Sequence, residues 1–224
     1  MNIMNINILG PSRSGHNFIK DNLKSWTLEK IKDIENPINR LGGNDINIIC
    51  IRDYLNNIAS LAKLRINHID RSIKSWIFLA KESFDLSNTI NNKYIIFYEK
   101  FRNSESYRRE ICKIIKGSYN EGRLKELPQG GMISSFYGDN NDGKTREEKY
   151  KIHIEKFSGN ADKMETTTRW KQILKNEEDK EYFISKLKQY PEAIEIYVEY
   201  YPPNEEQLQF LKKYNIYNTS EPKE

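Results

Sequence analysis

Asn5-Ile6-Asn7-Ile8-Leu9-Gly10-Pro11-Ser12-Arg13-Ser14-Gly15-His16-Asn17-Phe18-Ile19 runs from a short apolar segment through a Gly/Pro/Ser-rich turn into an amphipathic one. Ile6, Ile8 and Leu9 read as a buried strand. Past the turn, Ile19, Leu23 and Trp26 recur at i, i+4, i+7 and share one face of a helix. Gly10 and Gly15 have the G-x-x-x-x-G spacing of a phosphate-cradling loop, in the strand, loop and helix context such a loop requires. Backbone N–H groups of the turn and of the first helical residues point to one spot and favour an anion there.

Further along the chain the strand-helix unit repeats. Ile46 to Ile51 is a second apolar run, followed by a helix with Leu55, Ile58, Ala59 and Ala62 on one face. A helix over Arg71 to Phe84 carries Ile73, Trp76, Ile77, Ala80 and Phe84, and its spacing assigns Trp76 to the core. Tyr94 to Tyr98 is a third strand-forming run, expected to be covered on both faces, and a helix from about Ser104 ends at Gly117 as a natural C-cap. Apolar strands alternating with amphipathic helices predict an α/β chain, a P-loop-containing three-layer fold with a central, mainly parallel sheet flanked by helices.

The expected organisation is a single domain over residues 1–201. An irregular lid or insertion over 118–164 interrupts it, where Gly130-Gly131, Gly138, Gly143 and Gly159 punctuate a polar stretch. Trp170 to Gln189 and Glu192 to Tyr200 read as helices separated by Pro191, and residues 202–224 as a weakly packed C-terminal tail.

Composition narrows the function. The 36 Lys and Arg against 32 Asp and Glu leave a net charge of +4, too small and too mixed for wrapping duplex nucleic acid but compatible with a small anionic ligand. Cys50 and Cys112 are distant and each lies in an apolar segment, which predicts buried free thiols in a reducing compartment. Three histidines and two cysteines without paired spacing predict no zinc site. No apolar run approaches a membrane span and no signal-like segment opens the chain, so the expected location is cytoplasmic.

The residues after Gly15 decide what kind of anion chemistry is expected. A magnesium-nucleotide enzyme places Lys and then Ser or Thr there, for the phosphates and the metal. This chain has His16 and Asn17, and its fixed charge sits inside the loop at Arg13. The expectation is therefore anion binding with no metal required. A sulfuryl group carries less charge than a phosphoryl group and can be transferred with hydrogen-bond donors and one cation.

Ile51-Arg52-Asp53-Tyr54-Leu55-Asn56-Asn57-Ile58-Ala59-Ser60 sets an Arg at a strand end and a Ser eight residues later on the next helix, able to grip one phosphate from two sides. Asp53 is also placed to N-cap that helix. The segment resembles the second signature of PAPS-dependent sulfotransferases, with Gly10 to Asn17 matching the first. Phe97-Tyr98-Glu99-Lys100-Phe101 looks like that family's Tyr-Glu-Asp-Leu segment. Ser134-Ser135-Phe136 looks like its Ser/Thr-x-Phe stretch, and Thr168-Arg169-Trp170-Lys171 like its late Gly-Arg-Trp-Lys segment without the Gly.

This resemblance, spanning Asn5 to about Tyr200, implies PAPS as donor and PAP as product. It implies donor binding by Ser12, Arg13, Ser14, Gly15, His16 and Asn17, with Arg52 and Ser60 on the 3′-phosphate. Tyr98 would lie near the adenine, Phe136 stack on it, and Arg169 close over the donor. The implied partner is a small-molecule or carbohydrate acceptor with a hydroxyl or amine, not a nucleic acid; the oligomeric state stays open.

An acceptor loses a proton as the sulfuryl group arrives, so a nearby base is expected. Glu35, which ends the segment Leu28 to Glu35, is the first candidate, close to where tyrosylprotein-type members place their catalytic Glu. A surface Glu in an alternating charged strand is the alternative. His16, at the helix N-terminus, is the second candidate, ahead of Glu29 and His68. Arg13 would stabilise transition-state charge. Two rival readings are a magnesium-dependent P-loop kinase or nucleotide hydrolase, and a non-catalytic nucleotide-binding module of the same fold.

Overall fold

The computed structural model describes residues 5–37, 45–65, 67–121, 148, 151 and 166–217. Most of the expected lid over 118–164, Phe136 included, lies outside the described residues. Strands β1 (Asn5–Gly10), β2 (Lys30–Glu35), β3 (Ile46–Ile51) and β4 (Lys93–Phe97) form one parallel sheet in the order β2-β1-β3-β4. The helices are α1 (His16–Trp26), α2 (Tyr54–Lys63), α3 (Ile69–Ser83), α4 (Tyr98–Asn103) and α5 (Glu105–Ile114). After the gap come α6 (Arg169–Ile173), α7 (Glu177–Gln189), α8 (Pro191–Tyr200) and α9 (Glu205–Lys213).

The chain steps from β1 to β2 in one direction and from β3 to β4 in the other. Crossovers of one hand then place the intervening helices on opposite faces. On one face Ile6, Ile8, Ile48 and Cys50 pack against Ile19, Leu23 and Trp26 of α1, Phe101 of α4 and Cys112 of α5. On the other, Leu9, Ile49 and Ile51 pack against α2 and α3, with Trp170, Phe183, Tyr197 and Phe210 from α6 to α9 behind them. The result is the expected α/β arrangement of a parallel sheet between two helical layers. Cys50 and Cys112 are buried and free, and no helix among the described residues is long and apolar enough to cross a membrane.

Four local differences from the sequence reading have physical causes. Lys30–Glu35 is a strand of the sheet: Ile31 and Ile34, three apart, face the two opposite layers while its charged residues line the edge. Tyr94 is 39% exposed, on the strand that forms the other edge of the sheet among the described residues. Residues 202–217 are not a loose tail, since Asn204 and Gln207 form a capping box that starts α9 and Phe210 and Leu211 are buried. At the end of α5, Lys116 and not Gly117 takes the left-handed backbone (φ 51). Gly117 is required instead by close approach, because a Cβ there would stand 2.7 Å from the Trp26 carbonyl oxygen.

Candidate functional site

Because the strands are parallel, their carboxyl ends share one edge of the sheet. That edge carries the 11–15 turn after β1, Glu35 and Asn36 at the end of β2, Arg52 and Asp53 after β3, and Tyr98 and Glu99 after β4. The strand order reverses around β1, and the crevice outside such a switch point is where α/β sheets bind ligands.

The turn after β1 is closed by the Ser14 N–H donating to the Pro11 carbonyl at 3.1 Å, with Arg13 in the left-handed region at φ 66. Gly15, at φ 86, precedes α1 and supplies no side-chain cap, so the opening N–H groups of that helix have no intrahelical acceptor. Ser12 is the anchor of the turn. Its N–H donates to Asn36 Oδ1 at 2.8 Å, its hydroxyl donates to Glu35 Oε1 at 2.6 Å and accepts from Asn36 Nδ2 at 2.9 Å, and its carbonyl accepts from Asn57 Nδ2 at 2.9 Å. Asn36 is itself left-handed (φ 53), and its N–H donates to the Gly10 carbonyl at 2.9 Å.

The two candidate bases differ in access. Glu35 is exposed, pairs in register with Gly10, and has Oε1 held by Ser12. His16 is buried, with Nδ1 3.1 Å from the Ser14 hydroxyl and Nε2 3.6 Å from Asp33. Burial pushes its imidazole below the ordinary value, against the pull of Asp33 and Glu35. Asn17 accepts from Lys20 Nζ at 2.7 Å. Arg13 is pushed down to about 10 by burial and by the neighbouring Arg52 guanidinium, with Glu35 opposing. Of the weaker candidates, Glu29 is half-buried, and exposed His68 brings Nε2 to 3.4 Å from the Ser12 hydroxyl.

Arg52 is only 2% exposed. Its Nη1 donates to the Arg13 carbonyl at 3.0 Å and its Nη2 to the Thr166 carbonyl. Its guanidinium carbon lies 5.0 Å from the centre of the Tyr98 ring, and Glu99 Oε1 is 3.8 Å from its Nε. Ser60 is buried on α2, where its hydroxyl donates to the Asn56 carbonyl at 2.9 Å and accepts from Arg169 Nη1 at 2.8 Å. The structure thus joins Ser60 to Arg169 by a direct bond, while Arg52 shares the Tyr98 side chain with Arg102, whose Nη1 stands 3.5 Å from the phenol oxygen. Trp76 is core, as its spacing predicts, and its indole N–H also holds the Arg52 carbonyl at 2.9 Å.

α2 is buried over Tyr54 to Ala62 and not on one face alone, because α6 and α7 cover its outer side. Its polar residues explain this. Asn57 holds Ser12, Ser60 holds Arg169, Asn56 Nδ2 donates to Asp53 at 2.7 Å, and Asp53 caps the helix as expected by accepting from the Asn56 N–H at 2.8 Å. Motif reading missed Asn36, Asn57, Arg102 and Thr166. The available signals were an Asn directly before Pro37 and three polar residues inside an otherwise apolar helix. No group of three metal-ligating side chains is assembled among the described residues.

Comparison of the chain with protein-family models, with curated proteins and with solved structures finds no match.

Proposed function

We propose that this chain is a PAPS-dependent sulfotransferase on a P-loop-containing fold, moving a sulfuryl group from PAPS to a hydroxyl or amine of a small-molecule or carbohydrate acceptor without a metal. The observation that carries the reading is the gathering of Arg52, Arg169 and Ser60 beside the 10–17 turn, at the carboxyl ends of β1 and β3. Buried guanidiniums are costly unless an anion or a set of acceptors meets them, and a 3′-phosphate is an anion that fits between them.

In this reading the 3′-phosphate takes Arg52, Ser60 and Arg169, and the phosphosulfate takes Arg13 and the N–H groups opening α1. The acceptor oxygen or nitrogen attacks sulfur in line. A new bond to sulfur forms as the bond from sulfur to the bridging oxygen breaks. PAP leaves with that electron pair, and the acceptor proton passes to Glu35. Glu35 is favoured over His16 because it is exposed, whereas both His16 nitrogens face protein groups.

One observation favours a second reading, a non-catalytic nucleotide-binding module. Both terminal nitrogens of Arg52 bond backbone carbonyls, as a purely structural arginine would. Thermal-shift titration with PAP, 5′-AMP and ATP-Mg²⁺, followed by transfer of labelled sulfate from PAPS, separates the readings. Preferential stabilisation by PAP, abolished in Arg52→Ala, with transfer to an acceptor, supports the transferase. PAP binding without transfer to any acceptor supports the module, and Mg²⁺-dependent ATP turnover overturns both.

A further inference from the structure

Arg102 belongs to no motif read above, yet it lies one turn after Tyr98 on α4 and points into the same crevice. Its Nη1 donates to Thr166 Oγ1 at 2.6 Å and stands 3.5 Å from the Tyr98 hydroxyl. Arg52 donates to the carbonyl of that same Thr166, which is buried. Arg169, three residues on, reaches Ser60. Burial pushes the Tyr98 phenol up, but Arg52, Arg102 and Arg169, with a hydrogen bond to Thr166, outweigh it and hold the phenol below its ordinary value.

At Arg52 the described counter-charge is a single carboxylate. Glu99 is the one carboxylate within 4 Å of Arg52 among the described residues; it takes the Tyr201 hydroxyl on Oε2 at 2.5 Å, and burial pushes its carboxyl up. Arg52 Nε is buried with no hydrogen-bond partner among the described residues. Two oxygens of one residue, each on a different guanidinium, are what one phosphate group would present to the pair.

We propose that Arg52, Arg102 and Arg169 together form a phosphate-monoester site, and that the carbonyl and hydroxyl oxygens of Thr166 occupy its Arg52–Arg102 half in the free chain. Arg102 is then a specificity-determining residue. The inference rests on the nucleotide reading of the crevice and assigns this site to the 3′-phosphate of the donor.

Isothermal titration of the full chain with PAP, 5′-AMP and inorganic phosphate tests it, using wild type, Arg102→Gln, Arg102→Lys and Thr166→Ala. Arg102→Gln is expected to weaken PAP and inorganic phosphate by about 10- to 100-fold and to leave 5′-AMP within about twofold. Arg102→Lys, which keeps the charge and loses the planar fork, should fall between, and its loss carries the test if circular dichroism shows Arg102→Gln misfolded. Thr166→Ala should tighten PAP by about threefold or more, since one competing oxygen is gone. Unchanged PAP and phosphate affinity in both Arg102 variants, or equal weakening of PAP and 5′-AMP, overturns the proposal. Arg102-dependent phosphate binding without preference for PAP over 5′-AMP keeps the site and rejects the donor. PAP preference independent of Arg102 does the reverse, and wild type binding neither PAP nor phosphate overturns both.

Discussion

Gly15 and Tyr98 are in contact so close that a Cβ on Gly15 would stand 2.3 Å from Cδ2 and Cε2 of the tyrosine ring. The contact ties the start of α1 to the end of β4 across the crevice, and Gly15 also needs its left-handed backbone (φ 86). Gly15→Ala should therefore destabilise the chain by about 2–4 kcal/mol, from backbone strain and overpacking together. Urea unfolding measures this. Tyr98→Ala in the same background should recover the overpacking part, and a double-mutant cycle without coupling between the two positions would refute the explanation.

Glu35 should separate chemistry from binding. If it takes the acceptor proton, Glu35→Gln is expected to lower kcat by about 100-fold or more while PAP affinity stays within about twofold. His16→Asn should lower turnover less, because the buried imidazole orders the turn through Ser14. Sulfate transfer from labelled PAPS and calorimetric PAP binding give the two readouts. Wild-type turnover in Glu35→Gln would remove this residue as base.

Asp53 joins the site to the C-terminal helices. Besides capping α2, its Oδ2 accepts from the Tyr197 hydroxyl at 2.6 Å and from Gln207 Nε2 at 2.9 Å. Asp53→Ala should cost about 3 kcal/mol, since it removes a cap and strands two buried donors. Hydrogen exchange should show α8 and α9 losing protection first. Uniform loss across the whole chain would argue against a local latch.

Glu82 sets an acid limit on stability. It is completely buried, and burial raises its pKa, but hydrogen bonds from Ser87, Thr89 and Ile90 outweigh that and hold the carboxyl at about 2, against an ordinary 4.5. Since the folded value is the lower one, its contribution is complete above about pH 4.5 and is lost as pH falls from there through about 2. Glu82→Gln should cost up to about 3 kcal/mol at neutral pH and flatten the stability profile below pH 5. Denaturant midpoints from pH 2 to 7 check both, and an unchanged acid slope would exclude Glu82 as its source.

Some of this architecture was legible because it is local. β1, α1, β3, α2 and α3 follow from hydrophobic period, and the caps Asp53 and Ser104 do what their residue types favour. β2 was hard to read because an edge strand needs few apolar residues, and Lys30–Glu35 has two. α9 carries a capping box at Asn204 and Gln207, whereas Pro202-Pro203 and the charged end by composition alone favour fraying.

Periodicity and short motifs act between near neighbours, and they suffice for an α/β chain, a Gly-bounded turn between its first strand and helix, and an Arg-to-Ser spacing over Arg52 and Ser60. Tertiary structure alone decided that Ser12 is held by Asn36 and Asn57, that Arg169 meets Ser60, and that Arg102 and Arg52 share Thr166. The physical reason is that these pairs are brought together by parallel strands ending at one edge, and hydrogen bonds act over about 3 Å of space whatever the separation along the chain.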